Sequence, residues 1–172
     1  METAQEYTAR LLGYVEGEKP LKVLSSTPKR IKKLIKGLKK KSLYKKPSPG
    51  KWSIAEITAH LAETELVMGW RYRSIAGKNE IRIQSFEQDD WAANSKYAET
   101  DFPGMIEMFG VLRKANLNFI AGLPKEKLEN FGMHDERGKE TIAHIIRLEA
   151  GHDVNHLRQI EAMVSSITKK KK

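Results

Sequence analysis

The sequence contains no cysteine. Disulfides, thiolate metal sites and a cysteine nucleophile are therefore excluded, and any metal must be held by histidine and carboxylate. Nowhere is there an apolar run of the ~20 residues that a membrane-spanning helix needs. The opening METAQEYTAR lacks a basic segment followed by an apolar stretch, so no secretory leader is expected. Strand-like alternation is scarce, and there is no internal repeat. These absences point to a cytoplasmic, helical protein.

What is present fits one domain. The chain has 172 residues, 40% hydrophobic and 31% charged, long enough to bury a substantial core. Its net charge of +9 is unevenly placed: residues 28–46 hold ten Lys or Arg and no acid, and the tail KKKK adds four more cations. Setting those fourteen aside leaves −5 for everything else. The expected organisation is a single domain over 1–168 followed by a lysine tail at 169–172. The basic stretch is nearly all lysine, with one arginine and one nearby aromatic (Tyr44) and no nucleic-acid reading motif. It reads as a solvated helix face, and nucleic acid is not the expected partner.

Helical periodicity dominates. Residues 3–16 form a short amphipathic segment ended by Gly17 and Pro20. Thr27-Pro28 reads as an N-cap followed by proline in the first turn, opening a helix over 28–41 with Ile31, Leu34, Ile35 and Leu38 on one face. Ser53 and Glu56 form a capping box at the head of a helix over 53–77. Residues 78–100 read as an irregular connection. Asp101 caps a third helix that ends near 121–124. A second loop through EKLENFGMHDERG leads to Thr141 and a last helix over 139–167. The expected fold is all-α: a four-helix bundle with a short extra helix at its N-terminus.

Two of the helices place histidine among core residues. Ile145, Glu149, His152, His156, Ile160 and Met163 follow steps of three and four and so share one stripe. On the 53–77 helix, His60 lies in the stripe of Ile57, Leu61, Thr64, Val67 and Met68. One inward histidine is more often a hydrogen-bonded core residue than a ligand. Three without a shared partner leave several polar nitrogens to satisfy, so a metal site formed by His60, His152 and His156 is expected. His144 is about 12 Å along the axis from His152 and cannot share that ion. His134, in a Gly-flanked loop, can reach the mouth of the site but is more readily read as an exposed turn residue.

The segments PSPGKWSIAEITAHLAETELVMGWRYR (47–73), FEQDDWA (86–92) and HDERGKETIAHIIRLEAGHDVNHLRQIE (134–161) resemble the DinB/YfiT-like metalloenzyme superfamily, most closely its DinB_2-type branch. The resemblance runs in order from about residue 20 to 165. It implies a four-helix bundle, often connected up-up-down-down and often a homodimer. It also implies a divalent metal, zinc or nickel, on three histidines whose positions match His60, His152 and His156. Relatives commonly carry Asp where Glu87 stands, which puts any role for that loop position in doubt. Some members are transferases or isomerases that use low-molecular-weight thiols; others are described only provisionally as metal-dependent hydrolases.

Three neutral imidazoles leave an ion its full charge and at least one open position, the pattern of a catalytic site. Such an ion lowers the pKa of bound water to roughly 7 or deprotonates a coordinating thiol. The expected function is a metal-dependent enzyme that activates a small thiol toward an electrophile, S-transferase-like, or activates water. The alternatives are a metal-dependent hydrolase and a metal-binding bundle without catalysis. Glu63 and Glu149 are the carboxylates expected to orient a ligand histidine or act as base; each is as readily read as the partner of a neighbouring cation. Arg71 and Arg113 are read as anion binders or, more commonly for arginine, as salt-bridge partners. Gln159 is read as a support for His156 or a packing residue. Asp89, Asp90 and Trp91 are read as a cover for the bundle mouth, with Trp91 favoured as a hydrophobic plug.

Overall fold

Ser53 accepts a hydrogen bond from the Glu56 amide while the Glu56 side chain accepts from the Ser53 amide, and this closed capping box starts helix α4 (Ile54–Gly77). α4 belongs to a bundle with α2 (Pro20–Leu34), α6 (Phe102–Ala121) and α7 (Ile142–Lys169). A computed structural model describes residues 2–169; of the expected lysine tail, Lys169 ends α7 and 170–172 lie outside the described residues. α1 (Ala4–Gly13) precedes the bundle, with Thr3 and Glu6 forming a second capping box. Among the described residues no helix is long and apolar enough to cross a membrane.

Two hydrophobic clusters fix the helix directions. One joins Ile31 of α2 to Ile54, Ile57 and Leu61 of α4, Phe102, Ile106 and Phe109 of α6, and Leu157, Ile160 and Met163 of α7. The other joins Leu24, Tyr72, Ile75, Ile120, Ile142, Ile145 and Ile146. The start of α4 and α6 therefore lies at the same end as the finish of α2 and α7. Counted from α2 the order is up-down-down-up, so the up-up-down-down connectivity implied by the resemblance does not hold here. α4 packs most extensively on α6, and α2 on α7. Both are parallel pairs, which is why the connection between α4 and α6 must cross the length of the bundle.

The second helix begins earlier than its sequence pattern suggests. Pro20, not Pro28, occupies the first turn, and Pro28 lies inside α2. An interior proline leaves the carbonyl four residues back without its amide partner. Here that carbonyl belongs to Leu24, and Arg113 Nη1 donates to it at 2.8 Å. The helix then stops near Gly37, which has φ +82°, and a separate turn α3 (Lys40–Leu43) follows. The lysines of this region are exposed, as a solvated face requires.

Both long connections contain structure that helical periodicity does not show. The α4–α6 crossover holds β1 (Ile81–Ile83) and α5 (Gln88–Asn94). The α6–α7 connection holds a hairpin of β2 (Phe131–His134) and β3 (Gly138–Thr141), closed by Gly138 at φ +75°. β1 pairs in parallel with β2, Ile81 opposite Gly132. A Cβ on Gly132 would sit 2.5 Å from Ile83 Cγ1, so only glycine admits this pairing. The small sheet ties the crossover to the hairpin and brings both to one side of α4 and α7.

Candidate metal centre

The capping box of α4 and the uninterrupted turns of α7 carry three imidazoles to one point. His152 Nε2 lies 3.0 Å from His60 Nε2 and 3.0 Å from His156 Nε2, and the rings meet edge to face with centroids 4.4 to 5.1 Å apart. One ligand atom from each histidine falls within 4.8 Å of the other two. His60 and His156 are buried and His152 is half-buried.

These contacts carry a chemical conflict. His152 Nε2 has two nitrogen neighbours, and a neutral imidazole nitrogen either donates one hydrogen bond or accepts. His156 Nδ1 lies 3.0 Å from Gln159 Oε1, an acceptor, so its hydrogen sits on Nδ1 and its Nε2 presents a lone pair. A cation that takes a lone pair from each of the three Nε2 atoms resolves the conflict. The 3.0 Å spacings are close to the ~3.4 Å expected between two nitrogens bound to one tetrahedral zinc ion. The donor set therefore fits a divalent metal held by His60, His152 and His156, with no carboxylate among the ligands.

Burial also keeps the set neutral. It pushes the His60 imidazolium down to about 3, with the neighbouring His156 adding to the effect, and the His156 imidazolium down to about 4. His152 is lowered as well, first by burial and then by His156 and His60. Trp52 stacks obliquely on His60 with centroids 4.9 Å apart and meets Tyr97 edge-on at 6.1 Å.

Neither expected carboxylate bonds a ligand histidine among the described residues, because each is otherwise engaged. Glu63 Oε2 accepts from Tyr97 Oη at 2.7 Å and Ser95 Oγ at 3.3 Å, which pins the crossover onto α4. Glu149 Oε2 accepts a short hydrogen bond from Tyr72, and Glu149 Oε1 is 3.3 Å from Arg113 Nη2. Gln159 is the residue that orients a ligand. The other sequence candidates separate clearly. Asp89 and Asp90 are exposed on α5, and Trp91 packs on Phe86 with centroids 5.1 Å apart, away from the histidines. His144 is half-buried and outside the cluster.

His134 corrects the sequence reading. It is 3% exposed rather than on an open turn, because β2 pairs on both sides and draws its end inward. Its Nδ1 accepts from the Glu136 amide at 3.2 Å, which leaves the hydrogen on Nε2.

Beside the histidines lies a cavity of about 580 Å³. His60, His152 and Glu149 line it from the bundle; Arg71, Phe86, His134 and Arg137 line it from the far side. α1 closes another wall with Thr3, Tyr7 and Leu11. That wall depends on Gly151, where a Cβ would lie 2.1 Å from the Leu11 carbonyl oxygen. Arg71 comes from α4 itself; the other outer residues come from α1, the crossover and the hairpin, which helical periodicity does not place beside the histidines.

Beneath the site is a buried knot of charge. Arg113 meets Glu65 at 2.6 Å, Asp153 at 2.6 Å and Glu149 at 3.3 Å. Asn116 Nδ2 donates to Glu65 Oε2 at 2.9 Å. Glu149 is raised well above the usual carboxylate range, first by burial and then by the neighbouring Glu65 charge. Asp153 is also raised by burial, against the pull of Arg113. Glu65, Asp153 and Tyr72 escaped the sequence reading, although Asp153 stands four residues after Glu149 and so on the same side of α7.

Comparison with known proteins bears on the family and the fold. A family profile described as the DinB superfamily matches residues 24–160. A protein of Oceanobacillus iheyensis, provisionally named a metal-dependent hydrolase, is 23% identical over 85% of this chain and 84% of its own. A Bacillus cereus protein with the same provisional name is 23% identical over 81% and 80%. Among solved structures, YfiT from Bacillus subtilis superposes with a TM-score of 0.80 at 15% identity, covering 87% of this chain and 86% of that one. YfiT is described as a probable metal-dependent hydrolase with an unusual four-helix bundle topology.

Proposed function

The chain belongs to the DinB superfamily, and on that footing we propose that it is a metal-dependent enzyme whose three-histidine centre activates a low-molecular-weight thiol for transfer to an electrophile. One observation carries the reading: three imidazole Nε2 atoms converge at the wall of a cavity large enough for a small organic molecule. A divalent ion held there supplies Lewis acidity that lowers the pKa of a coordinated thiol or water. Zinc and nickel, the ions the family resemblance implies, are both among those that imidazole ligands suit.

The protein's own residues do the rest. His60, His152 and His156 hold the ion, and Gln159 fixes the His156 tautomer. Glu149, raised by burial and lining the cavity, is the group placed to hold a proton there. Tyr97 and Ser95 bind Glu63 and steady the crossover that walls off water. An all-imidazole set leaves the ion its full charge, which favours holding a thiolate. The hydrolase alternative is favoured by the provisional names of the curated relatives, and a metal-binding bundle without turnover is the remaining alternative. A homodimer in the cytoplasm belongs to the same proposal. Leu66 and Trp70 of α4 and Val111 of α6 are exposed large apolar side chains on adjacent helices, the kind of surface a second copy covers.

Elemental analysis and a thiol screen test the reading together. Purified protein should carry about one divalent ion per chain and consume an electrophile only when a thiol is supplied. His60→Ala should lose metal and activity together. Wild-type protein that refuses zinc, nickel and manganese would sink the reading, as would turnover that survives in metal-free His60→Ala.

A further inference from the structure

Arg71 stands opposite the histidines with its charge unmatched. It is 2% exposed, and among the described residues no carboxylate lies within ion-pair distance of it. Nη2 donates to the Gln84 carbonyl at 2.9 Å, while Nε is buried without any partner. A desolvated guanidinium in this state is unusual, because buried arginines are ordinarily paired. The neighbouring cation does not explain it: Arg137 is already held bidentately by Glu140 at 2.7 and 3.1 Å. Burial, aided by Arg137, brings the Arg71 guanidinium down to about 10, so it remains charged at neutral pH.

Arg71 lines the same cavity as His60 and His152, and His134 lines it too, with its Nε2 hydrogen free to donate. Between the two ends the wall is apolar, formed by Met68, Ile145, Leu148 and Leu11. His60 and Arg71 are eleven residues apart on α4, about 16 Å along the axis. Arginine leans back toward the helix N-terminus, which brings its head to within on the order of 10 Å of the histidines.

We propose that Arg71, assisted by His134, is the anion anchor of this cavity, and that the molecule it admits is an elongated organic carboxylic acid with an apolar body whose far end reaches the histidine centre. A single free guanidinium matches one negative charge. A phosphate dianion fits worse, because Glu136 lines the same region and would repel the second charge, while Glu140 is already neutralised by Arg137. This inference rests on the proposed metal centre only for what happens at the far end; the anchor itself is a property of the chain.

The test uses octanoate, octyl phosphate and octan-1-ol as probes, measured by calorimetric titration against wild type, Arg71→Met and Arg71→Lys. Metal content is determined separately on each sample. Octanoate should bind wild type more tightly than either other probe. Arg71→Met should weaken octanoate at least tenfold while leaving octan-1-ol unchanged, which also shows that the variant is folded. Arg71→Lys should recover part of the loss, and it serves as the reporter if the Met variant does not fold. Equal octanoate affinity in wild type and Arg71→Met would overturn the anchor, as would wild type binding octan-1-ol as tightly as octanoate. Tighter binding of octyl phosphate would overturn the carboxylate assignment. A protein that binds octanoate through Arg71 yet takes up no metal would leave the anchor standing and remove the metal-enzyme reading; metal-loaded protein indifferent to Arg71 would do the reverse.

Discussion

Arg113 and Arg71 are buried alike, each 2% exposed, on neighbouring helices of one bundle, yet their surroundings are opposite. Arg113 sits among Glu65, Glu149 and Asp153 and also satisfies the Leu24 carbonyl orphaned by Pro28. Its guanidinium lies 4.9 Å from the Phe109 ring centre, so both its face and its edges are used. Arg71 has one backbone carbonyl, the Phe86 ring with its centre 5.9 Å away, and an open cavity. The first is a cation surrounded by more acid than it can neutralise; the second has, among the described residues, no carboxylate within ion-pair distance. A buried charge placed amid counter-charges holds the fold together, whereas one facing a cavity alone stays available to a ligand.

The largest expected effect follows from removing the overcommitted cation. Arg113→Met would strand three buried carboxylates and the Leu24 carbonyl at once. Breaking a buried pair by deleting one partner typically costs about 3–5 kcal/mol, a large share of the roughly 5–15 kcal/mol that stabilises a domain. Urea unfolding should show a midpoint shifted far downward, or no folded baseline. A loss below about 1 kcal/mol would mean that the knot does not hold the helices together.

A smaller effect of opposite sign is expected from trimming the acid. Glu149 has a folded-state pKa raised above the ordinary value of 4.5 by burial and by Glu65. A raised value contributes stability that is fully present below pH 4.5 and lost as pH rises through the folded value, so at neutral pH this carboxyl is a liability. Glu149→Gln keeps the shape and the acceptor for Tyr72. It should stabilise the protein by about 1 kcal/mol at pH 7, and the gain should vanish below pH 4.5. A gain that persists unchanged at pH 4 would mean that titration of this carboxyl is not its source. The same variant is informative in the assay, since retained turnover would remove Glu149 as the proton-holding group.

The two arginines also show where sequence reading succeeds and where it stops. The Ser53–Glu56 capping box and the His60, His152 and His156 positions are legible because spacings of three and four on one helix decide them. Pro28 was misplaced because the group that makes it tolerable, Arg113, is 89 residues from the carbonyl it rescues. The stretch FGMHDERGKET shows little alternation and few β-branched residues; it becomes a hairpin because β1 pairs with β2 at Gly132, a contact no local pattern announces. His134 was read as exposed for the same reason. The three clustered histidines are thus visible from within two helices. The outer wall of the cavity is not, because much of it comes from α1, the crossover and the hairpin, brought together only by the fold.

The smallest expected effect is the most discriminating. Arg71→Met removes a desolvated charge that no carboxylate repays and fills the same space with an apolar side chain. Exchanges of this kind are often neutral or slightly stabilising. The lost charged hydrogen bond to Gln84, of a kind typically worth about 1.5–3 kcal/mol, and the lost Phe86 contact oppose this, but Gln84 is exposed, so water replaces the donor. The urea midpoint should therefore stay within about 1 kcal/mol of wild type, in contrast to Arg113→Met. If the two substitutions prove equally damaging, the contrast drawn from their surroundings is wrong and Arg71 is a structural residue. If Arg71→Met is the more stable protein, its conservation of fold and loss of carboxylate binding would together mark a residue kept for its ligand at some expense to stability.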